Sequence, residues 1–199
     1  FAPATAVAYP RHLARYLDLE GFVLARFARE SSSVHLVAES FSGPLAVRIA
    51  SHHPERVASL TLVSTFLARP TYAPIASLAK LGFRLPPIAP GLRLLLLDRK
   101  TPDGLVQELQ EAISETPTSV LRRRLSEAMA VDVTREFVGL KAPVCWLEPT
   151  RDRVMRSSLA QALQLQPSLR LHRVRGPHLL LQCRTDECAT LIRNFQTAT

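Results

Sequence analysis

The stretch from Val34 to His53 constrains the fold of this chain more than any other segment. Residues 34–38 (Val-His-Leu-Val-Ala) form an apolar run that is too short and too rich in β-branched residues for a helix, so they predict a buried strand. From Pro44 onward, apolar residues recur at helical spacing, and proline suits a first helical turn because the N–H that it lacks has no partner there. Ser40 therefore lies at a sharp turn between a strand and a helix.

Small residues surround Ser40 in the pattern Ala38-Glu39-Ser40-Phe41-Ser42, with Gly43 next. This pattern is typical of a nucleophile elbow, a strand-to-helix turn that presents a serine hydroxyl in a cleft. The usual form is Gly-x-Ser-x-Gly, and here Ala and Ser stand at the two small positions. The segment alone also fits a plain strand–loop–helix connection with incidental serines.

A nucleophilic serine requires a base and a carboxylate that orients the base. Residues 142–148 (Ala-Pro-Val-Cys-Trp-Leu-Glu) predict another short strand, and Asp152 follows it in a loop. Loops at the carboxyl edge of a parallel sheet are where such folds bind ligands. We interpret Asp152 as the carboxylate that orients a histidine. Two alternatives stay open: an ion pair with Arg151 or Arg153, and a helix-capping role.

His178 is the candidate base. Residues 169–174 alternate apolar and polar side chains, which predicts a half-buried strand. Gly176-Pro177 then predicts a turn, and His178 is the first side chain beyond it. None of the other five histidines combines a loop after a strand with a position downstream of Asp152. The alternative is a histidine that packs beneath the following helix. The three residues together predict a catalytic triad.

The chain resembles the α/β-hydrolase superfamily. The resemblance depends on four segments: residues 38–43, 59–63, 143–154 and 176–178. It implies an α/β fold, a mostly parallel sheet with helices on both faces. It also implies a Ser–His–Asp hydrolase without a cofactor, in which the backbone N–H of Phe41 donates to the oxyanion. The elbow and histidine segments are similar to those of small bacterial α/β-hydrolases.

Little chain precedes the elbow for a complete member of that superfamily, and the sequence starts at Phe1 rather than methionine. Residues 7–9 predict one strand, and residues 12–27 predict a helix. The other early strands, and the loop that would supply a second oxyanion donor, are not recognisable. We therefore expect an N-terminally incomplete α/β-hydrolase fold in one domain, residues 1–199.

Residues 67–140 are expected to form a cap or lid insert within that domain. They begin with proline-rich chain, and two amphipathic helices are predicted at about 103–114 and 119–131. Tyr72, Phe83 and Leu85, with the leucines of residues 92–97, are candidates for an apolar substrate pocket. The alternative is that they only pack the insert onto the core.

Composition excludes several classes of protein. The sequence contains no run of 18 apolar residues, no zinc motif and no phosphate-binding glycine loop. Its three cysteines, without metal-ligand spacing, indicate free thiols and a cytoplasmic location. The net charge is +8, and the densest basic cluster is Arg122-Arg123-Arg124. We interpret it as a solvated helix face and expect no nucleic-acid partner, although a polyanion-binding role is the alternative.

The sequence thus predicts a serine hydrolase that cleaves a carboxylic ester or thioester of a small to medium apolar acyl group. A serine nucleophile argues against dehalogenase and epoxide hydrolase chemistry, which in this fold uses a carboxylate. The alternative is a catalytically weak or inactive fragment that acts as a binding module.

Overall fold

Four strands form one parallel sheet in the computed structural model, which describes residues 4–27, 32–70, 89–155, 159–166 and 168–199. The strands are β1 (Val34–Glu39), β2 (Val57–Val63), β3 (Val144–Pro149) and β4 (Arg170–Val174). Each is hydrogen-bonded to the next in the order β1-β2-β3-β4, and all three pairings are parallel. All four carboxyl ends consequently lie at the same edge of the sheet.

Nine α-helices accompany the sheet in the described residues. They are α1 (Tyr16–Phe27), α2 (Ser42–His52), α3 (Ala89–Leu95), α4 (Asp103–Ser114), α5 (Thr118–Ala130), α6 (Thr134–Val138), α7 (Leu159–Leu165), α8 (Leu180–Cys183) and α9 (Thr185–Gln196). The two amphipathic helices expected in the insert are α4 and α5.

Helices cover both faces of the sheet because successive side chains of a strand point in opposite directions. Leu62 of β2 and Trp146 of β3 face one side, where they join the apolar core formed with α1, α2, α6 and α7. Val63 and Leu147, their neighbours in sequence, face the other side and pack with α8 and α9. The predicted architecture, a parallel sheet with helices on both faces, is confirmed.

The segment before α1 differs from the prediction. Residues 7–9 form no strand. Side chains fix this segment instead: the Tyr9 hydroxyl hydrogen-bonds to Ser42 Oγ at 2.8 Å, and the Arg124 guanidinium lies 5.8 Å from the centre of the Tyr9 ring. The three residues Val7-Ala8-Tyr9 are too short a pattern to distinguish a strand from a loop whose side chains pack against the core.

The start of the 67–140 segment contacts a later part of the same segment. Val133 N–H donates to the carbonyl of Leu67 at 2.7 Å, and Ala68 forms an antiparallel bridge with Asp132. Residues 67 and 68 therefore lie against residues 132 and 133. That the segment forms a cap over the site stays a prediction.

Candidate active site

Ser40 occupies a sharp turn directly after β1. Its φ of 54° lies in the left-handed region, which is uncommon for a residue other than glycine. The backbone is held in this conformation from both sides. Ser40 N–H donates to the carbonyl of Val63 at 2.9 Å, and the Ser40 carbonyl accepts from Gly43 N–H at 3.0 Å and from the Thr65 hydroxyl at 2.6 Å. The turn thus presents the Ser40 hydroxyl at the carboxyl edge of the sheet.

Gly43 is the position in this turn that requires a residue without a side chain. A Cβ at this position would lie 1.9 Å from Thr65 Oγ1. Position 42 has room for a side chain, and the Ser42 hydroxyl is the hydrogen-bond partner of Tyr9. The departure from Gly-x-Ser-x-Gly therefore has a structural reason: the close approach of α2 to the chain after β2 occurs one residue later.

Asp152 lies in the loop after β3 and uses both carboxylate oxygens. Its Oδ1 accepts the backbone N–H groups of Val154 at 2.7 Å and Met155 at 3.1 Å. Its Oδ2 lies 2.7 Å from Nδ1 of His178. Asp152 makes no ion pair with its arginine neighbours in sequence within the described structure. These contacts fix the orientation of the carboxylate toward the histidine.

His178 connects Asp152 with Ser40. Its Nε2 lies 2.8 Å from Ser40 Oγ, and only 3% of the residue is exposed. An ionised carboxylate can only accept hydrogen bonds, so Nδ1 carries the proton toward Asp152. Nε2 of the neutral ring is then the acceptor that faces the serine hydroxyl. The three residues singled out from the sequence meet in one hydrogen-bonded chain.

Tight local packing holds the histidine loop. At Gly176 a Cβ would lie 2.4 Å from Leu180 Cδ1, so a larger residue in the turn before His178 would displace the Leu180 side chain. Leu179 N–H donates to the carbonyl of Leu96 at 2.9 Å, which connects the loop to the chain after α3. The imidazole is thus positioned by the sheet on one side and by the insert on the other.

Glu39, the residue before the serine, also belongs to the site, although the sequence analysis did not single it out. Its Oε1 accepts the backbone N–H of Leu181 at 3.0 Å, at the start of α8. Burial raises the pKa of Glu39 above its ordinary value, while hydrogen bonds from Leu181 and Gln182 and the proximity of His178 counteract that rise. An acidic residue at the end of an apolar strand is the signal that could have identified it.

Phe41 follows Ser40 and is the N-cap residue of α2. Backbone N–H groups at the start of a helix have no partner within the helix, so the Phe41 N–H can donate to an anion. The Phe41 ring stacks on Tyr16 with centroids 4.6 Å apart, and the Phe41 carbonyl accepts the Tyr16 hydroxyl at 3.0 Å. The Phe41 N–H itself belongs to the Ser40–Phe41 peptide, which is held by the hydrogen bonds from Gly43 and Thr65 to the Ser40 carbonyl.

The predicted pocket residues Tyr72, Phe83 and Leu85 lie outside the described residues. Within the 92–97 group, Leu96 packs beside Phe41 on a buried apolar cluster, whereas Leu94 is 54% exposed. The buried members of that cluster are Phe66, Ala128, Val154 and Met155. A buried apolar cluster therefore lies next to both the elbow and the acid loop.

The arginine cluster of α5 is not a uniformly solvated face. Arg123 is exposed and pairs with Glu127 at 2.9 Å. Arg124 instead donates to the carbonyls of Pro10 at 3.0 Å and Leu13 at 2.9 Å, and partial burial lowers its pKa. Arg124 thus holds the insert against the segment before α1, which leaves it unsuited to binding a polyanion.

All three cysteines are free thiols. Burial raises the pKa of Cys145 and of Cys188 to about 11, so both stay protonated at neutral pH and are poor nucleophiles. Across the described ranges, no group of three or more His, Cys, Asp or Glu side chains could hold a metal ion. In the same ranges no helix combines the length and apolar character that crossing a bilayer demands.

No family model and no curated protein matches the sequence. Solved structures do match the fold. A hydrolase from Oleispira antarctica shares 16% identity over 92% of this chain and 71% of its own, with a TM-score of 0.75. The enol-lactonase from Burkholderia xenovorans LB400 shares 17% identity over 92% of this chain and 73% of its own, with a TM-score of 0.76.

The 2-hydroxy-6-oxo-6-phenylhexa-2,4-dienoate hydrolase from Rhodococcus sp. strain RHA1 shares 18% identity with a TM-score of 0.70, over 96% of this chain and 74% of its own. Identity at this level establishes a shared fold rather than a shared activity. The parallel sheet, the strand-to-helix turn at Ser40 and these matches together show that the chain has the α/β-hydrolase fold.

Proposed function

We propose that this chain is a serine hydrolase that cleaves a carboxylic ester or thioester through an acyl-enzyme intermediate. One observation carries the proposal: the hydrogen-bonded chain from Ser40 Oγ through His178 to Asp152, with links of 2.8 Å and 2.7 Å. This geometry is that of a nucleophile, a general base and an orienting carboxylate.

In the acylation step, Ser40 Oγ attacks the substrate carbonyl while His178 Nε2 takes the hydroxyl proton. Asp152 keeps the hydrogen bond to Nδ1 and stabilises the imidazolium that forms. The Phe41 N–H, at the positive end of α2, donates a hydrogen bond to the negatively charged oxygen of the tetrahedral intermediate. When the intermediate collapses, the C–O or C–S bond breaks and His178 returns its proton to the leaving alcohol or thiol.

In the second step, water replaces the leaving group. His178 takes a proton from water as the oxygen attacks the acyl carbonyl of the Ser40 ester. The second intermediate collapses, releases the carboxylic acid and returns the proton to Ser40 Oγ. The same imidazole therefore acts once as base and once as acid in each half of the cycle.

The apolar cluster beside the elbow supports an apolar acyl group. Phe66, Val154 and Met155 are buried, and the partly buried Leu96 and Phe41, which pack against them, would offer apolar side chains to the carbons of an acyl chain. Tyr72, Phe83 and Leu85 are proposed as further pocket residues on the strength of the sequence. The proteins with matching structures, two hydrolases and an enol-lactonase, support hydrolytic chemistry in general.

A fluorophosphonate probe tests the proposal, because it reacts covalently with activated serines. The wild-type chain should be labelled, and peptide mapping should place the label on Ser40. Ser40→Ala should abolish the labelling. Ser42→Ala is the matched control: it removes the neighbouring hydroxyl, which contacts Tyr9, and should still be labelled. A folded wild-type chain that takes up no probe would contradict the proposal and favour a binding module.

A further inference from the structure

A basic cavity lies beside the acid loop, separate from the proposed triad. Its volume is about 390 Å³, and it lies between the end of α3 and the residues on either side of Asp152. Its charged lining residues are Arg93, Asp98, Arg99, Arg151 and Arg153. Asp152 is not among the lining residues, since its carboxylate faces His178. An occupant of this cavity would therefore contact the outside of the acid loop.

A second depression of about 490 Å³ adjoins the first and shares Asp98 and Arg151 with it. It adds four charged residues: Lys100, Arg175, Arg184 and Glu187. We call the two together the arginine cleft. Its seven basic and two acidic side chains carry a net charge of +5, whereas the whole chain carries +8. More than half of the excess positive charge is thus concentrated in one place.

Some of these cations already have partners. Arg93 is bound to Asp103 and to backbone carbonyls, and Arg153 donates to the carbonyl of Leu94 at 3.2 Å. Arg184 pairs with Asp98 at 3.0 Å. These contacts hold three of the guanidinium groups in place. They also neutralise Asp98, the only acidic residue that both depressions share.

Arg99 and Arg151 differ from these three arginines in their contacts. Within the described residues, neither guanidinium group forms a hydrogen bond or an ion pair, and both residues are exposed. The local potential is positive: the hydrogen bond from Arg184 and the charge of Arg151 hold the pKa of Asp98 below its ordinary value. Cations held together repel one another, and an anion bound between them would relieve that repulsion.

We infer that the arginine cleft binds the phosphate group of a phosphorylated ligand, with Arg99 and Arg151 as its principal contacts. A phosphate carries up to two negative charges and several acceptor oxygens, which match the planar forks of two guanidinium groups better than a single carboxylate does. The volume of the cavity suffices for a small molecule. Since the site is distinct from Ser40, it does not depend on the proposed hydrolase activity.

Calorimetric titration of the 199-residue chain with inorganic phosphate and with pyrophosphate tests the inference. The wild type should bind at low ionic strength, and added salt should weaken binding because the contacts are charged. The double variant Arg99→Gln/Arg151→Gln should bind at least about tenfold more weakly, as expected for the loss of two charge-assisted contacts. Ser40→Ala should bind like the wild type, which separates this result from any failure of the hydrolase proposal.

The control is Arg15→Gln/Arg135→Gln, which removes the same charge from exposed arginines outside the cleft. It should keep wild-type affinity. Equal weakening in both double variants would show only a general effect of net charge and would overturn the inference, as would the absence of wild-type binding to either phosphate compound. Co-sedimentation with phosphatidylglycerol vesicles identifies the source of the phosphate. Binding to vesicles that is lost in the cleft variant assigns a lipid headgroup, and binding to soluble phosphate alone assigns a soluble ligand.

Discussion

The carboxylate of Glu39 accepts the backbone N–H of Leu181 at 3.0 Å, so the strand that ends at Ser40 is joined directly to the short helix that follows His178. The two residues are far apart in sequence, and this bond connects the elbow to the histidine loop. It also holds a partly buried acidic group next to the site. The burial of that group gives a measurable dependence of stability on pH.

Glu39→Gln should stabilise the chain relative to the wild type at neutral pH but not in acid. Burial raises the pKa of Glu39 in the folded state, so the folded state binds this proton more tightly than the unfolded state does. Wild-type stability therefore falls, relative to the glutamine variant, as pH rises from the unfolded pKa of about 4.3 through the raised folded pKa. Urea unfolding of both proteins across this range measures the difference.

Glu108→Gln, on the exposed surface of α4, controls for the loss of one negative charge. The difference in stability between Glu39→Gln and the wild type should change with pH. If it stays constant from acid to neutral pH, Glu39 has the same pKa in the folded and the unfolded chain.

Gly43→Ala should destabilise the fold, because the added methyl group would lie 1.9 Å from Thr65 Oγ1 in a buried, close-packed contact. Overpacking of this kind typically costs about 1–3 kcal/mol. Gly21→Ala is the matched control: nothing lies within 4 Å of its Cβ, and it should stabilise α1 by roughly 0.5–1 kcal/mol. Thermal unfolding compares the two. Equal stability of both variants would disprove the close approach at the elbow.

Asp152→Asn should lower kcat for a p-nitrophenyl ester by about 10⁴-fold while leaving the fold intact. The amide can donate as well as accept, so it no longer requires Nδ1 of His178 to carry the proton, and the base loses its orientation. Asp186→Asn, an exposed change in the first turn of α9, should keep full activity. Unchanged turnover in the Asp152 variant would remove that residue from the mechanism.

Arg124→Ala should destabilise the chain by about 1–2 kcal/mol, because it removes the guanidinium that donates to the Leu13 carbonyl and one of the two donors to the Pro10 carbonyl. Arg123→Ala, a change at the preceding residue of α5, removes an i,i+4 ion pair with Glu127 and should cost about 0.3–0.5 kcal/mol. Chemical denaturation measures both. Equal losses would show that Arg124 is as solvated as its neighbour.

Local patterns were sufficient to predict the strands, because β2 and β3 are apolar runs and β4 alternates apolar and polar side chains; that the sheet is parallel was implied by the resemblance to α/β-hydrolases. β1, which was expected to be buried, lies at the edge of the sheet and is half exposed. Ser40, Asp152 and His178 could be predicted as candidates, since each lies in a turn or loop that follows a predicted strand. The prediction of a strand at residues 7–9 was wrong because those residues pack through the Tyr9 side chain instead of pairing their backbone. Tyr72, Phe83 and Leu85 stay predictions.

The sequence by itself determined which segments are strands and helices, and in what order the candidate residues follow them, since strand and helix periodicity are local properties. Only the tertiary structure decided that Glu39 contacts the histidine loop and that Gly43 is the position where a side chain would clash. It also decided that Arg124 binds backbone carbonyls, whereas the guanidinium groups of Arg99 and Arg151 can bind a ligand. Each of these depends on contacts between residues that are distant in the chain, and no periodicity within a single segment records such contacts.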